Sequence, residues 1–259
     1  MIRETREKLY KRFSSAALPL RIQIEITRRC NLDCVHCMLC GDTKIGDELR
    51  FRDYEKLVPQ LSDAGVFNLA LTGGELLTHP EIRDILDLLL ESDFGISLQT
   101  NGTMLDEKTA ELLANRSRKI RSVAVSLYGA TPETHDSVTR VKGSFDKTIR
   151  AIDLLRETGQ KVEVITLLMT LNCHEYELIR ELCESKGVKH QFNSVLVPRK
   201  DGDREPLNYR LTEHLLSKLP RPWETFTENF RKTDPEEFAQ DRTLEAWCTM
   251  GRTTAYIDS

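Results

Sequence analysis

A short loop carries four cysteines whose spacing suits a metal cluster. Cys30, Cys34 and Cys37 have the spacing C-x3-C-x2-C, and Cys40 follows three residues later. Thiolates are soft ligands that select iron-sulfur clusters, zinc or copper(I). Three thiolates on one loop can hold three corners of a cubane cluster and leave the fourth iron open for chemistry. The spacing therefore indicates a reactive iron-sulfur site.

Cys40 leaves a second interpretation open, in which four thiolates close the site. Such a site would hold structural zinc or a fully ligated electron-transfer cluster. Zinc ribbons usually supply their cysteines as two separated pairs, and a closed site leaves the Gly73-Gly74-Glu75 motif without a role. We therefore interpret the chain as an enzyme with three cluster ligands and Cys40 as a neighbour of the site. A non-enzymatic four-thiolate module is the alternative.

Composition limits the classes of partner. The chain has 37 basic and 41 acidic residues, so neither a nucleic-acid-binding stripe nor a membrane-binding basic face is indicated. No apolar stretch approaches the roughly 18 residues of a membrane span. Seven cysteines, an odd number, and the lack of an apolar signal segment favour a reducing compartment over a disulfide framework. The predicted location is cytoplasmic.

The elements that must position these residues alternate between strand and helix. Apolar runs predict six strands, at 20–27, 68–72, 95–100, 122–128, 162–168 and 191–197. Periodic segments predict helices over 52–64, 80–92, 106–114, 144–158 and 176–185. Such alternation indicates a parallel sheet with helical crossovers. The predicted fold class is α/β, a partial (β/α)6 TIM-like barrel over 19–200, preceded by a helical segment over 1–18 and followed by a linker over 201–247.

Polar motifs follow the predicted strands at one end of this barrel. In parallel α/β sheets, ligands bind beyond the carboxyl ends of the strands, where the βα loops gather. The cysteines follow the first strand, and the motifs after the next four are Thr72-Gly73-Gly74-Glu75, Thr100-Asn101, Ser126 and Met169-Thr170. Glycines let a backbone approach a ligand, and a glutamate accepts hydrogen bonds from an ammonium group. Five motifs in register predict a single cleft.

The cysteine loop and the Gly-Gly-Glu motif together resemble the signature of the radical S-adenosylmethionine superfamily. The resemblance implies a [4Fe-4S] cluster on Cys30, Cys34 and Cys37. Its open iron would bind the methionine amine and carboxylate of S-adenosylmethionine. The resemblance thus implies an enzyme whose cofactor carries the difficult step.

The resemblance also assigns cofactor contacts. It places Gly73, Gly74 and Glu75 at the methionine amine, and Ser126 at the methionyl carboxylate or the ribose. Arg140, in the segment from Thr134 to Arg140, matches an arginine that reaches the carboxylate, a task suited to a guanidinium fork. A surface ion pair with Asp136 is the alternative for Arg140. The other predicted contacts are Thr100, Asn101 and Met169, and Met169 packs against the adenine or belongs to the strand core.

The stretch from Ser126 to Asn172 is similar to a branch that carries a C-terminal SPASM extension, a cysteine-rich domain for auxiliary clusters. Trp247-Cys248-Thr249-Met250-Gly251 and a short strand at 256–258 resemble the opening of that extension, over 248–259. Its further cysteines are absent from this sequence. We expect either a truncated portion of a longer protein or a decayed extension, with an auxiliary [4Fe-4S] cluster only in a longer form.

The implied reaction begins with an electron from a flavodoxin- or ferredoxin-type donor. S-adenosylmethionine is cleaved reductively, and the resulting 5′-deoxyadenosyl radical abstracts a substrate hydrogen. In the branch that this chain resembles, the substrate is a ribosomally synthesised precursor peptide. Biosynthesis of a cofactor from a haem or quinone precursor is the alternative.

Overall fold

The computed structural model describes residues 19–39, 48–219 and 254–257. The predicted helical segment over 1–18, residues 220–247 of the predicted linker, Cys40 and Cys248 lie outside the described residues. Within the described ranges, none of the helices has both the length and the apolarity that crossing a bilayer requires.

One sheet of seven parallel strands organises the chain. Its strands are β1 (Arg21–Glu25), β2 (Asn68–Thr72), β3 (Gly95–Thr100), β4 (Ile120–Ser126), β5 (Val162–Leu167), β6 (Lys189–Asn193) and β7 (Thr254–Ile257). They lie in the order β6-β5-β4-β3-β2-β1-β7, and every neighbouring pair is parallel. The predicted α/β class with parallel strands is confirmed. Because β1 to β6 lie side by side in chain order, their carboxyl ends share one edge.

The seventh strand adds to the six predicted for the barrel. The sequence predicts a short strand at 256–258, and the structure has β7 there, beginning two residues earlier. β7 pairs with β1, with Ile257 opposite Ile24. It therefore extends the barrel sheet. That residues 248–259 also open an extension stays a prediction.

Helices connect the strands much as the sequence predicts. They are α1 (Phe51–Asp63), α2 (Ile82–Glu91), α3 (Glu107–Asn115), α4 (Pro132–Thr139), α5 (Ser144–Glu157), α6 (Tyr176–Ser185) and α7 (Glu213–Lys218). The predicted bounds of α6 are confirmed. The cap of α3 is formed as predicted, because the Asp106 carboxylate accepts from the backbone N–H of Thr109 at 2.9 Å.

Three parts of the sequence prediction were wrong in detail. Helix α4 was not predicted, since its eight residues bury Thr134, His135 and Thr139 instead of a conventional apolar stripe. Strand β4 lies two residues nearer the N-terminus than predicted, and β6 begins two residues and ends four residues earlier than predicted. The apolar runs of the sequence continue past the ends of both strands because Tyr128 and Leu196 are buried in the loops that follow.

The two faces of β1 have opposite character. Ile22, Ile24 and Ile26 pack in the main hydrophobic core with residues of the crossover helices. Gln23 and Glu25 point to the other face, because side chains alternate along a strand, and they line a pocket there. The helices therefore cover one side of the sheet, and the opposite, polar side is the place for ligands.

Candidate active site

The cysteine loop follows β1 and rests on the end of α4. The backbone N–H of Asp33 donates to the carbonyl of Thr139 at 3.1 Å, and that of Val35 donates to Val138 at 3.0 Å. The N–H of Cys37 donates to the carbonyl of Cys34 at 3.0 Å and closes a turn between two of the cysteines. The unpredicted helix is thus the platform that holds the loop in shape.

Gly73 and Gly74 lie against the backbone that leads into the cysteine loop. The N–H of Gly74 donates to the carbonyl of Thr27 at 2.8 Å, and that of Glu75 donates to Arg29 at 2.7 Å. A Cβ on Gly73 would lie 2.4 Å from the Thr27 oxygen, and one on Gly74 would lie 2.4 Å from the Arg29 oxygen. Glycine is therefore required at both positions because the loop after β2 contacts the backbone before the cysteines, a cause that the sequence did not suggest.

Glu75 is buried, and its carboxylate is engaged within the protein. It accepts from the N–H of Leu77 at 3.1 Å, from the hydroxyl of Thr100 at 2.8 Å and from the N–H of Asn101 at 2.6 Å. These bonds join the ends of β2 and β3. Glu75 does not line the pocket described below, so its predicted contact with the methionine amine stays a prediction.

Glu75 also makes a testable contribution to stability. Burial raises the pKa of Glu75 above its ordinary value of 4.5. The folded state then binds more protons than the unfolded state between those two pKa values, so the free energy of unfolding falls as pH rises through that interval. We expect the difference in urea-unfolding free energy, wild type minus Glu75→Gln, to fall as pH rises from about 4.5 towards neutrality.

The matched control is Glu111→Gln, the same change at an exposed position of α3 outside this hydrogen-bond network. A difference for Glu75 that rises with pH would contradict the prediction. It would mean that the three hydrogen bonds outweigh desolvation and lower the pKa of the carboxyl.

A pocket of about 180 Å³ gathers most of the predicted site residues. The predicted residues that line it are Cys30, Cys34, Cys37, Gly73, Gly74, Thr100, Asn101 and Ser126. Residues from the ends of β1 to β4 thus meet in one cleft, as predicted for four of the five motifs, whereas the fifth, Met169-Thr170, does not line it.

Sequence reasoning missed three lining residues, Leu32, His36 and Gln99, and assigned no role to two others that stand in the strand-end motifs, Thr72 and Tyr128. The Thr72 hydroxyl donates to the Gln99 side-chain carbonyl at 3.2 Å across β2 and β3. Ser97 and Gln99 alternate with Ile96 and Leu98 along β3, and this alternation is the signal that could have identified Gln99. The predicted strand ends at Tyr128, whereas β4 ends at Ser126, so Tyr128 lies in the loop that faces the pocket.

Tyr128 links the cysteine loop to the end of β4. Its hydroxyl lies 3.2 Å from Nε2 of His36, and the two rings meet edge to face with centroids 4.7 Å apart. Desolvation raises the pKa of Tyr128, so the phenol stays protonated. The pair forms a wall of the pocket between two of the cysteines.

Arg140 and Met169 do not line this pocket. Arg140 ends α4 at φ 58° and forms ion pairs with Glu205 and, at 3.6 Å, with Asp33 of the cysteine loop. Arg140 thus forms surface ion pairs, as the alternative predicts, but its partners are Glu205 and Asp33. The predicted partner, Asp136, instead accepts from the N–H groups of Gly143 and Phe145.

Met169 is fully buried in a small core with Val35, Tyr128, Val138 and Leu196. This surrounding matches the strand-core alternative for Met169. The cofactor contacts assigned to Met169 and Arg140 stay predictions.

The donors of the pocket fit an iron-sulfur cluster. Desolvation, with a further contribution from the thiols of Cys37 and Cys30, raises the pKa of Cys34 well above its ordinary value. Bound iron would supply the positive charge that makes such a thiol a thiolate. Within 19–39, 48–219 and 254–257, no three His, Cys, Asp or Glu side chains converge on a single metal ion. Cysteines that each bind a different corner of a cubane need no such convergence.

Comparison with known proteins agrees with this geometry. The profile of the Radical SAM superfamily matches residues 24–185. The chain is 29% identical over 212 residues to the antilisterial bacteriocin subtilosin biosynthesis protein AlbA of Bacillus subtilis. This alignment covers 78% of the present chain and 47% of AlbA. It is 30% identical over 208 residues to the AdoMet-dependent heme synthase of Methanosarcina barkeri, covering 78% of this chain and 59% of that protein.

A solved structure shows the same fold. Streptococcus suis SuiB bound to S-adenosylmethionine superposes with a TM-score of 0.71 at 19% identity, over 93% of this chain and 59% of SuiB. The chain thus spans about half the length of the curated relatives that it matches. The matched residues contain the cysteine loop and every strand end that lines the pocket. The chain therefore belongs to the radical SAM superfamily.

Proposed function

We propose that this chain is the catalytic core of an enzyme that cleaves S-adenosylmethionine reductively at a [4Fe-4S] cluster held by Cys30, Cys34 and Cys37. The observation that carries the proposal is that these three cysteines line one pocket with Gly73, Gly74, Asn101 and Ser126. The cluster and S-adenosylmethionine, when bound, supply a 5′-deoxyadenosyl radical that abstracts a hydrogen from the substrate.

The residues of the chain orient and shield these groups. The Asn101 amide lies 3.9 Å from the sulfur of Cys30 and donates to the Asn31 side chain at 3.1 Å, so it fixes the outer side of the loop. Ser126 and Gln99 present a hydroxyl and an amide to the pocket, which suits the polar methionyl and ribose groups of the cofactor. Leu32 and Tyr128 complete the wall and limit the access of water.

The preferred substrate is a ribosomally synthesised precursor peptide. The relationship to AlbA, a bacteriocin biosynthesis protein, supports this choice. The relationship to a heme synthase favours a second candidate, a haem or quinone precursor. We further propose a cytoplasmic location and a flavodoxin- or ferredoxin-type electron donor. We further propose a helical segment over 1–18, a barrel over 19–200, a linker over 201–247 and the start of a SPASM-type extension over 248–259.

Anaerobic reconstitution tests the proposed activity. The reconstituted chain should form 5′-deoxyadenosine from S-adenosylmethionine after reduction with dithionite, and Cys34→Ala should form none. A cluster that forms without any change on addition of S-adenosylmethionine would contradict the proposal. A precursor peptide that becomes modified in the same assay would favour the peptide substrate over the haem precursor.

A further inference from the structure

A second and larger pocket adjoins the cysteine pocket. Its volume is about 590 Å³, and it shares His36, Cys37, Thr72, Gly73 and Gln99 with the smaller one. It lies on the polar face of the sheet, between β1, β7 and the segment that follows β6. A molecule held here would contact Cys37, one of the three proposed cluster ligands, and the wall that the two pockets share. If the proposed function holds, this larger pocket would receive the substrate, and it is called the substrate pocket below.

The two charged groups of the substrate pocket differ in how many partners they have within the protein. Among the described residues that line it, Glu25 contributes the one carboxylate and Lys200 the one ammonium. Glu25 is 2% exposed, accepts from the guanidinium of Arg28 at 3.0 Å and contacts the hydroxyl of Tyr256. Its negative charge is therefore balanced within the protein.

Lys200 keeps unused donors in the substrate pocket. Its ammonium is 33% exposed and lies 3.7 Å from the Glu25 carboxylate, beyond an ordinary hydrogen bond. In the described part of the chain, that ammonium donates no hydrogen bond, although it has three donors. Lys200 therefore shares a loose ion pair with Glu25, while its N–H donors remain for an acceptor in the pocket.

The backbone around Lys200 holds this charge in place. The N–H of Lys200 donates to the carbonyl of Met38 in the cysteine loop at 2.9 Å. The neighbouring Arg199 forms ion pairs with Asp203 and, at 2.8 Å, with Glu205. The segment after β6 is thus tied to the cysteine loop. These contacts fix the backbone from which the Lys200 side chain extends into the pocket.

An apolar rim surrounds the same pocket. Met38, Val195, Val197 and Tyr256 are 45%, 69%, 41% and 40% exposed, and all four line the pocket. They make up most of the large hydrophobic side chains that are exposed in the described ranges. Exposed apolar side chains grouped around a cleft favour the burial of apolar groups of a ligand.

We propose that Lys200 is a specificity-determining residue that binds a carboxylate of the substrate, an acidic side chain flanked by apolar residues in a peptide. The inference rests on the proposed function, because it assumes that the substrate pocket receives a peptide. The methionyl carboxylate of the cofactor has the same chemistry. The experiment therefore measures peptide and cofactor separately.

The test uses two capped peptides, acetyl-Leu-Glu-Leu-amide and acetyl-Leu-Gln-Leu-amide, with the reconstituted chain loaded with S-adenosylmethionine. Binding is measured by titration under saturation-transfer NMR, which requires no turnover. The wild type should bind the glutamate peptide about tenfold more tightly than the glutamine peptide, as suits one charge-assisted bond at a partly exposed site. Lys200→Met should abolish this preference, and Lys200→Arg should keep part of it.

The control is Lys147→Met, an exposed lysine on α5, which should keep the full preference. The inference is overturned if Lys200→Met retains the preference, or if neither peptide binds at millimolar concentration. A parallel titration of S-adenosylmethionine separates the two carboxylates, because weaker cofactor binding with unchanged peptide preference would assign Lys200 to the cofactor. Failure of the proposed function is distinguishable from failure of this inference. In the former case the wild type forms no 5′-deoxyadenosine, independently of peptide binding.

Discussion

Replacement of Cys34 by alanine should abolish iron binding, and replacement of Cys40 should not. Cys34 lines the pocket between Cys30 and Cys37, and its loss leaves two thiols for a cluster that requires three. Loss of an outer-shell partner already costs about 10- to 100-fold in metal affinity, so loss of a ligand should cost more. The measurement is iron and sulfide per chain after anaerobic reconstitution, together with the visible absorbance of the cluster.

Cys173→Ala is the matched control for this prediction. Cys173 is a half-buried free thiol in the loop after β5 that lines neither pocket, so its variant should keep the wild-type iron content. Loss of iron in Cys40→Ala as well would contradict the three-cysteine site. That result would favour the alternative in which four thiolates close the metal site.

A single methyl group on Gly74 should disrupt the contact between the two loops of the site. The new Cβ would lie 2.4 Å from the carbonyl oxygen of Arg29 and 2.6 Å from that of Arg28. Both neighbours are backbone atoms, which cannot turn aside as a side chain does. We expect Gly74→Ala to lower the free energy of unfolding by about 3 kcal/mol or more, because overpacking against a fixed backbone is costly. Urea unfolding of the chain without iron measures this loss.

Gly65→Ala separates the steric effect from backbone strain. Gly65 has φ +78°, and a Cβ there would meet no atom within 4 Å. Its variant should lose only about 1 kcal/mol, the cost of a left-handed conformation for alanine. It should reconstitute a full cluster, whereas Gly74→Ala should not. Equal losses in the two variants would contradict the steric explanation.

Local patterns predicted the scaffold, which the structure confirms, and the three cysteines proposed as cluster ligands. The spacing of Cys30, Cys34 and Cys37 identified the metal chemistry because ligands on one short loop depend little on the rest of the fold. Apolar runs identified β2 and β3, and the capping residue Asp106 identified the start of α3, because each rests on neighbours within a few residues. The common edge of the motifs followed from the parallel sheet.

The tertiary structure alone decided which side chains face the site. Glu75 carries the right chemistry for an ammonium group, yet hydrogen bonds from Thr100 and Asn101 of another strand end occupy it. Gln99 and Tyr128 enter the pocket because neighbouring elements bring them there, which no local pattern specifies.

Lys200 shows the same limit most clearly. In the sequence it is one basic residue in a polar segment after β6, without a motif. Its place beside the substrate pocket depends on Met38 and Glu25, which are more than 150 residues away in the chain. Residue types and spacings predicted the cysteines proposed to hold the cluster, whereas the surroundings of Lys200 required long-range contacts that only the folded chain contains.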